Sequence, residues 1–136
     1  MLNICFAADD NYVPLLGVSI VSLIENNQDD FDKINIFILD DGITSKNKKR
    51  LENLINNSNH KLYFIKTKNL NDLETDLYAF GENSNFTTYS RLFISSLIPN
   101  DIDKIIYLDC DALILGSFKK LWMRNIDDYS VGGYWM

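Results

Sequence analysis

Apolar runs closed by turn residues alternate along the chain with stretches whose apolar positions recur at helical spacing. Leu2 to Ala8 is almost wholly apolar, the pattern of a strand covered on both faces. Leu16, Ile20, Leu23 and Ile24 then share one face of a helix whose first turn accepts Pro14. Ile34 to Leu39, rich in β-branched and aromatic residues, predicts a second strand, stopped by the turn signal Asp40-Asp41-Gly42. Thr44 or Ser45 offers a cap for a second helix buried along Leu51, Leu54 and Ile55, with Lys46, Lys48, Lys49 and Arg50 turned to water.

Leu62 to Ile65 reads as a third strand, and Leu70 to Phe80 as a weak helix with a loop. Thr87 or Thr88 can cap a helix that runs through Leu97 and ends at Pro99, and Lys104 to Leu108 is a fourth strand. Strands separated by helix-length crossovers require right-handed β-α-β units. The expected class is therefore α/β, a mostly parallel sheet with helices on both faces. No repeat or linker divides residues 1–136, which are read as one unit.

Composition narrows the function classes. With 46% hydrophobic residues in 136, the chain can bury a core and is not a disordered tail. Its 13 basic residues against 19 acidic ones give a net charge of −6, and its longest basic run is Lys48-Lys49-Arg50, so it is not built to sheathe nucleic acid. The charge-free stretch Asn11 to Ile24 is shorter than the roughly 20 apolar residues that span a bilayer. The start lacks a basic leader and an apolar run of signal-peptide length, so a cytoplasmic protein with no transmembrane segment is expected. Cys5 and Cys110 belong to no paired-cysteine motif and read as small buried hydrophobes.

In an open parallel sheet, ligands gather beyond the C-terminal strand ends, where strand order reverses. After the fourth strand come Asp109-Cys110-Asp111. In extended chain these two acids point the same way, about 6–7 Å apart. At an effective dielectric near 20 they repel by roughly 2–3 kcal/mol. A divalent cation such as Mn²⁺ or Mg²⁺ relieves that repulsion and is commonly held by one or two carboxylates plus substrate phosphate. After the first strand, Asp9-Asp10-Asn11-Tyr12 offers a carboxylate acceptor, an amide and an aromatic face, a set that can read a uracil. No dinucleotide-type glycine fingerprint accompanies it. Turn-forming or helix-capping roles for the same acids stay open at this point.

Phe6-Ala7-Ala8-Asp9-Asp10-Asn11-Tyr12, Thr87-Thr88-Tyr89-Ser90-Arg91-Leu92, Ile106-Tyr107-Leu108-Asp109-Cys110-Asp111 and Leu121-Trp122 together resemble glycosyltransferase family 8, in the right order over essentially the whole chain. This family includes bacterial lipopolysaccharide glucosyl- and galactosyltransferases and is related to glycogenin. The resemblance implies a Rossmann-like sheet of the GT-A type, a UDP-glucose or UDP-galactose donor, Mn²⁺ (or Mg²⁺), a saccharide or glycolipid acceptor and retention of anomeric configuration. It would place Asp9, Asn11 and Tyr12 on uridine, with Ala7 and Ala8 lining it through backbone groups. Arg91 would touch the donor sugar or diphosphate, Asp109 and Asp111 would ligate the metal, and the Cys110 backbone would meet the ribose.

Family members run to about twice this length, and the late motif whose histidine completes the metal site is missing, as is the acceptor-binding half. The only histidine, His60, reads as a surface residue in a polar loop. The chain is therefore expected to be an N-terminal nucleotide-sugar-binding part that transfers sugar weakly or not at all. Its cut edge, around Trp122, Tyr134 and Trp135, is expected to invite self-association. Any attachment to the inner membrane would come through the missing part. Competing readings are a non-catalytic nucleotide-sugar-binding module, a haloacid dehalogenase-like phosphatase with Asp109 as nucleophile, and a receiver domain. The last needs an acid after the third strand, where Lys66-Thr67-Lys68 stands.

Overall fold

The computed structural model describes residues 1–67 and 94–128 of the chain. In chain order they form β1 (Leu2–Ala8), a 3-10 turn (Asp10–Tyr12), α1 (Val13–Asn27), β2 (Ile34–Asp40), α2 (Ser45–Asn53), β3 (Lys61–Lys66), α3 (Ile94–Leu97), β4 (Ile106–Tyr107) and α4 (Lys119–Trp122). The described strands pair in parallel throughout, in the order β3-β2-β1-β4. This is the α/β class that the alternation of strands and crossovers requires.

The apolar runs of β1 and β2 are explained by cover on both sides. Leu2, Ile4, Phe6 and Ala8, with Ile34, Ile36 and Ile38, face Leu16, Ile20 and Leu23 of α1 and Leu51 of α2. The alternate residues Cys5, Ala7, Phe37 and Leu39 face Ile98, with Ile94 and Leu97 of α3, Ile102 and Ile105 beside them. Register is pinned by buried amides: Asn3 lies level with Asn35, whose Nδ2 donates to Asn3 Oδ1 at 2.9 Å, and Asn3 Nδ2 donates to the Lys104 carbonyl at 3.2 Å. A slip of one residue would break this clamp and turn each buried set to the opposite face.

Several local expectations are corrected. β4 is two residues long rather than Lys104 to Leu108. The Lys104 carbonyl is taken by the Asn3 side chain, and its ammonium is drawn to the carbonyls of Trp122 and Arg124, both at 2.6 Å. Leu108 N–H still reaches the Cys5 carbonyl at 2.9 Å. α2 ends before Leu54, which is exposed, and Ile55, which is half-buried, so Leu51 alone is the buried member of that stripe. Lys48 is not on a solvated face: its ammonium sits 2.6 Å from the buried Asp40 carboxylate and over the Phe64 ring. His60 is buried rather than at the surface, its Nδ1 accepting the Ile34 amide at 3.1 Å.

Trp122 packs half-buried against the core, with the Lys104 ammonium over its ring. Tyr134 and Trp135 lie outside the described residues, as do Leu70 to Phe80 and the start of the helix expected from Thr87 or Thr88. Residues 94–97, the end of that expected helix, form α3, which stops before Pro99 as expected.

Candidate functional site

Strand order sets the place of the site. From β1 the chain steps outward to β2 and β3, then returns to the other side of β1 for β4. The reversal therefore falls between β1 and β4, the place past whose C-terminal strand ends open sheets of this kind take their ligands. The two motifs singled out from sequence leave from these two neighbouring strands.

Past β1, Asp9 caps the 3-10 turn. Its Oδ1 accepts the amides of Asn11 at 2.9 Å and Tyr12 at 3.3 Å, and its Oδ2 makes no hydrogen bond among the described residues. Asn11 and Tyr12 are exposed, so an amide and a phenol ring are open to solvent past the end of β1. Ala7 and Ala8 are buried, which leaves only backbone to offer, and the Ala8 carbonyl already accepts the Asp41 amide at 3.0 Å. Asp10 turns the other way: its Oδ1 accepts from the Thr44 amide at 2.9 Å, the Thr44 hydroxyl at 3.0 Å and Asn47 Nδ2 at 2.8 Å. These bonds hold its carboxyl below the usual range, the Thr44 amide first.

Past β2, Asp40 Oδ1 accepts the Gly42 and Ile43 amides at 3.1 and 2.7 Å, while Gly42 takes the positive φ of 95° that the bend into α2 requires. Asp41 beside it has its carboxyl pushed up by burial and by the negative charges of Asp9 and Asp40.

Past β4 the twin acids do not continue in extended chain. Ala112 N–H donates to the Asp109 carbonyl at 3.0 Å, closing a turn with Cys110 and Asp111 at its tip. Asp109 and Asp111 are both exposed, and neither side chain is paired among the described residues. Burial pushes the half-buried Cys110 thiol up, and so do the charges of Asp111, Asp109 and Asp9. The negative charges of the β1 acid and both β4 acids thus reach the Cys110 thiol, without the four groups forming a tight cluster.

What fixes this turn is a stripe of polar residues on α1 that the apolar pattern did not single out. Ser19 Oγ lies 2.9 Å from the Cys110 carbonyl and 2.6 Å from that of Ala112. Ser22 Oγ accepts the Ile114 amide at 3.1 Å, Asn26 Nδ2 donates to the Ile114 carbonyl at 3.1 Å, and Asn27 Oδ1 accepts the Phe118 amide at 2.7 Å. Residues three, four and one apart form a single helix stripe, so a polar stripe beside the apolar one was the available signal. It satisfies the backbone of a segment that has left the sheet.

Arg91 lies outside the described residues. Among the described residues no three His, Cys, Asp or Glu side chains gather closely enough to hold a metal by themselves. Two exposed hard carboxylates fit an ion that takes its other ligands from water and a phosphate. No helix among the described residues is long and apolar enough to cross a membrane. Cys5 is buried, its thiol pushed up to about 12 by burial, and both cysteines are free.

Relatives of known family match most of the chain. The chain is 35% identical over 135 residues to General stress protein A of Bacillus subtilis, covering 96% of this chain and 45% of that protein. It is 32% identical over 125 residues to the lipopolysaccharide 1,2-glucosyltransferase of Escherichia coli, covering 88% and 34%. The crystal structure of the galactosyltransferase LgtC in complex with donor and acceptor sugar analogs superposes with a TM-score of 0.77 at 31% identity, over 92% of this chain and 43% of that one. The fold is thus of the GT-A type, and the chain spans less than half the length of these relatives. Phosphatase and receiver readings are set aside. Residues 3–134 match Glycosyl transferase family 8, and the chain belongs to that family.

Proposed function

We propose that this chain is the nucleotide-sugar-binding part of a metal-dependent, retaining hexosyltransferase that moves glucose or galactose from a UDP-sugar to a saccharide or glycolipid acceptor. The observation that supports the reading is the parallel pairing of β1 with β4 at the strand-order reversal, so that the Asp9 loop and the Asp109–Asp111 turn leave from neighbouring strands. Asp9 keeps Oδ2 for a uracil N–H while Oδ1 holds the loop closed, and Tyr12 offers a stacking face. Exposed Asn11 adds a donor and an acceptor for the base. The backbone around Cys110 would meet the ribose, and Asp109 and Asp111 would hold Mn²⁺ or Mg²⁺. When bound, that ion supplies charge neutralisation for the departing UDP. Arg91, carried over from the family resemblance, would add positive charge at the diphosphate and favour the transition state, because charge grows there as the sugar leaves. The E. coli and LgtC relatives support a hexose donor and a saccharide acceptor for the whole protein.

Isothermal titration of UDP in the presence and absence of Mn²⁺ tests the reading. Binding should need the ion, and Asp109→Asn or Asp111→Asn should each weaken it about tenfold or more, the loss of one charge-assisted ligand. Unchanged Mn²⁺-dependent UDP binding in both variants would sink it. Turnover by these 136 residues alone should be low, since they span less than half of the relatives.

A further inference from the structure

Building on the UDP reading above, we propose that Asp10 is a positioning residue: its carboxylate ties the base-reading loop to the start of α2, and this tie sets the preference for uracil. Asp9 caps, and Asn11 and Tyr12 belong to, a 3-10 turn of only three residues, Asp10–Tyr12, too short to be stiff by itself. Asp10, in the middle of these residues, is anchored more than 30 positions ahead in sequence, at Thr44 and Asn47. Three donors converge on its Oδ1, which leaves that oxygen nothing for a ligand. Thr44 and Asn47 are themselves joined, the Asn47 amide reaching Thr44 Oγ1 at 3.3 Å, and Arg50 Nη1 braces Asn47 Oδ1 at 3.3 Å. The anchor is therefore a supported one. A loop held in its binding shape before the ligand arrives loses less freedom on binding, and the gain falls on the base it reads.

The test is titration of the chain with UDP, CDP and inorganic pyrophosphate, all with Mn²⁺. Asp10→Ala should weaken UDP about tenfold, lower the UDP-over-CDP preference and leave pyrophosphate unchanged. Asn47→Ala should shift UDP the same way by about threefold, and the double variant should match Asp10→Ala within about twofold, because both remove one tie. Asp10→Asn, which keeps an acceptor oxygen, should fall between wild type and Asp10→Ala. Asp30→Ala, which removes a distant carboxylate bonded to Ser117 and Lys119, should change none of the three titrations. A silent Asn47→Ala, or additive losses in the double variant, would overturn the proposal by making Asp10 a direct ligand contact. Equal loss of UDP and pyrophosphate would overturn it as general loosening. A wild-type chain that binds neither UDP nor pyrophosphate overturns the functional reading itself, an outcome distinct from the others.

Discussion

His60 accepts the Ile34 amide through Nδ1, so this bond exists only while that nitrogen carries no proton. Burial lowers the His60 pKa below its ordinary 6.5. Above pH 6.5 folded and unfolded chains are both neutral there and the contribution is complete. As pH falls below that value the unfolded chain takes up the proton first, and stability declines until the lowered folded pKa is reached. Urea unfolding at pH 7.5, 6.5 and 5.5 should show the decline, and His60→Gln should flatten its part of it. Lys48 presents a related case. Its removal in Lys48→Met leaves Asp40, a side chain 4% exposed, with two backbone amides and no cation. A loss of about 1–3 kcal/mol is expected in the same assay, with partial recovery in Lys48→Met/Asp40→Asn. Neither residue was legible from sequence. A lone histidine between polar neighbours and a lysine in a basic run look solvated until the sheet is laid beside them.

At the scale of elements, α1 does two jobs with interleaved stripes. Leu16, Ile20 and Leu23 close the core, while Ser19, Ser22, Asn26 and Asn27 take the backbone groups of residues 110–118. Ser19→Ala should destabilise the chain by about 1 kcal/mol, since the part-buried carbonyls of Cys110 and Ala112 lose the one hydroxyl proton they share. It should also weaken Mn²⁺-dependent UDP binding, because the turn bearing Asp109 and Asp111 loses its brace. A thermal midpoint and a titration on one variant check both. The apolar stripe was legible because burial leaves a period in the sequence. The polar one was not, because Ser and Asn read alike whether they bond water or a chain some 90 residues away. The same difficulty hid the turn at Asp109: nothing in Ile106-Tyr107-Leu108 announces that the strand stops early. At α2, Thr44 proved to be the cap, its hydroxyl accepting the Asn47 amide. The cations of the following turn are offset by Asp10 and Asp40, carboxylates brought by β1 and β2.

For the molecule as a whole, the α/β class followed from order alone: apolar runs and helix-length crossovers. Which acids meet did not, because that depends on β4 crossing back beside β1, a pairing between Cys5 and Tyr107. That topology has a consequence for synthesis. β1 is synthesised before both of its neighbours in the sheet, β2 and β4, and among the described strands one of its two edges waits for residues 106 and 107. A nascent chain paused before that point exposes Leu2–Ala8 as an unpaired, apolar edge, the kind of surface that holdase chaperones and neighbouring polysomal chains seize.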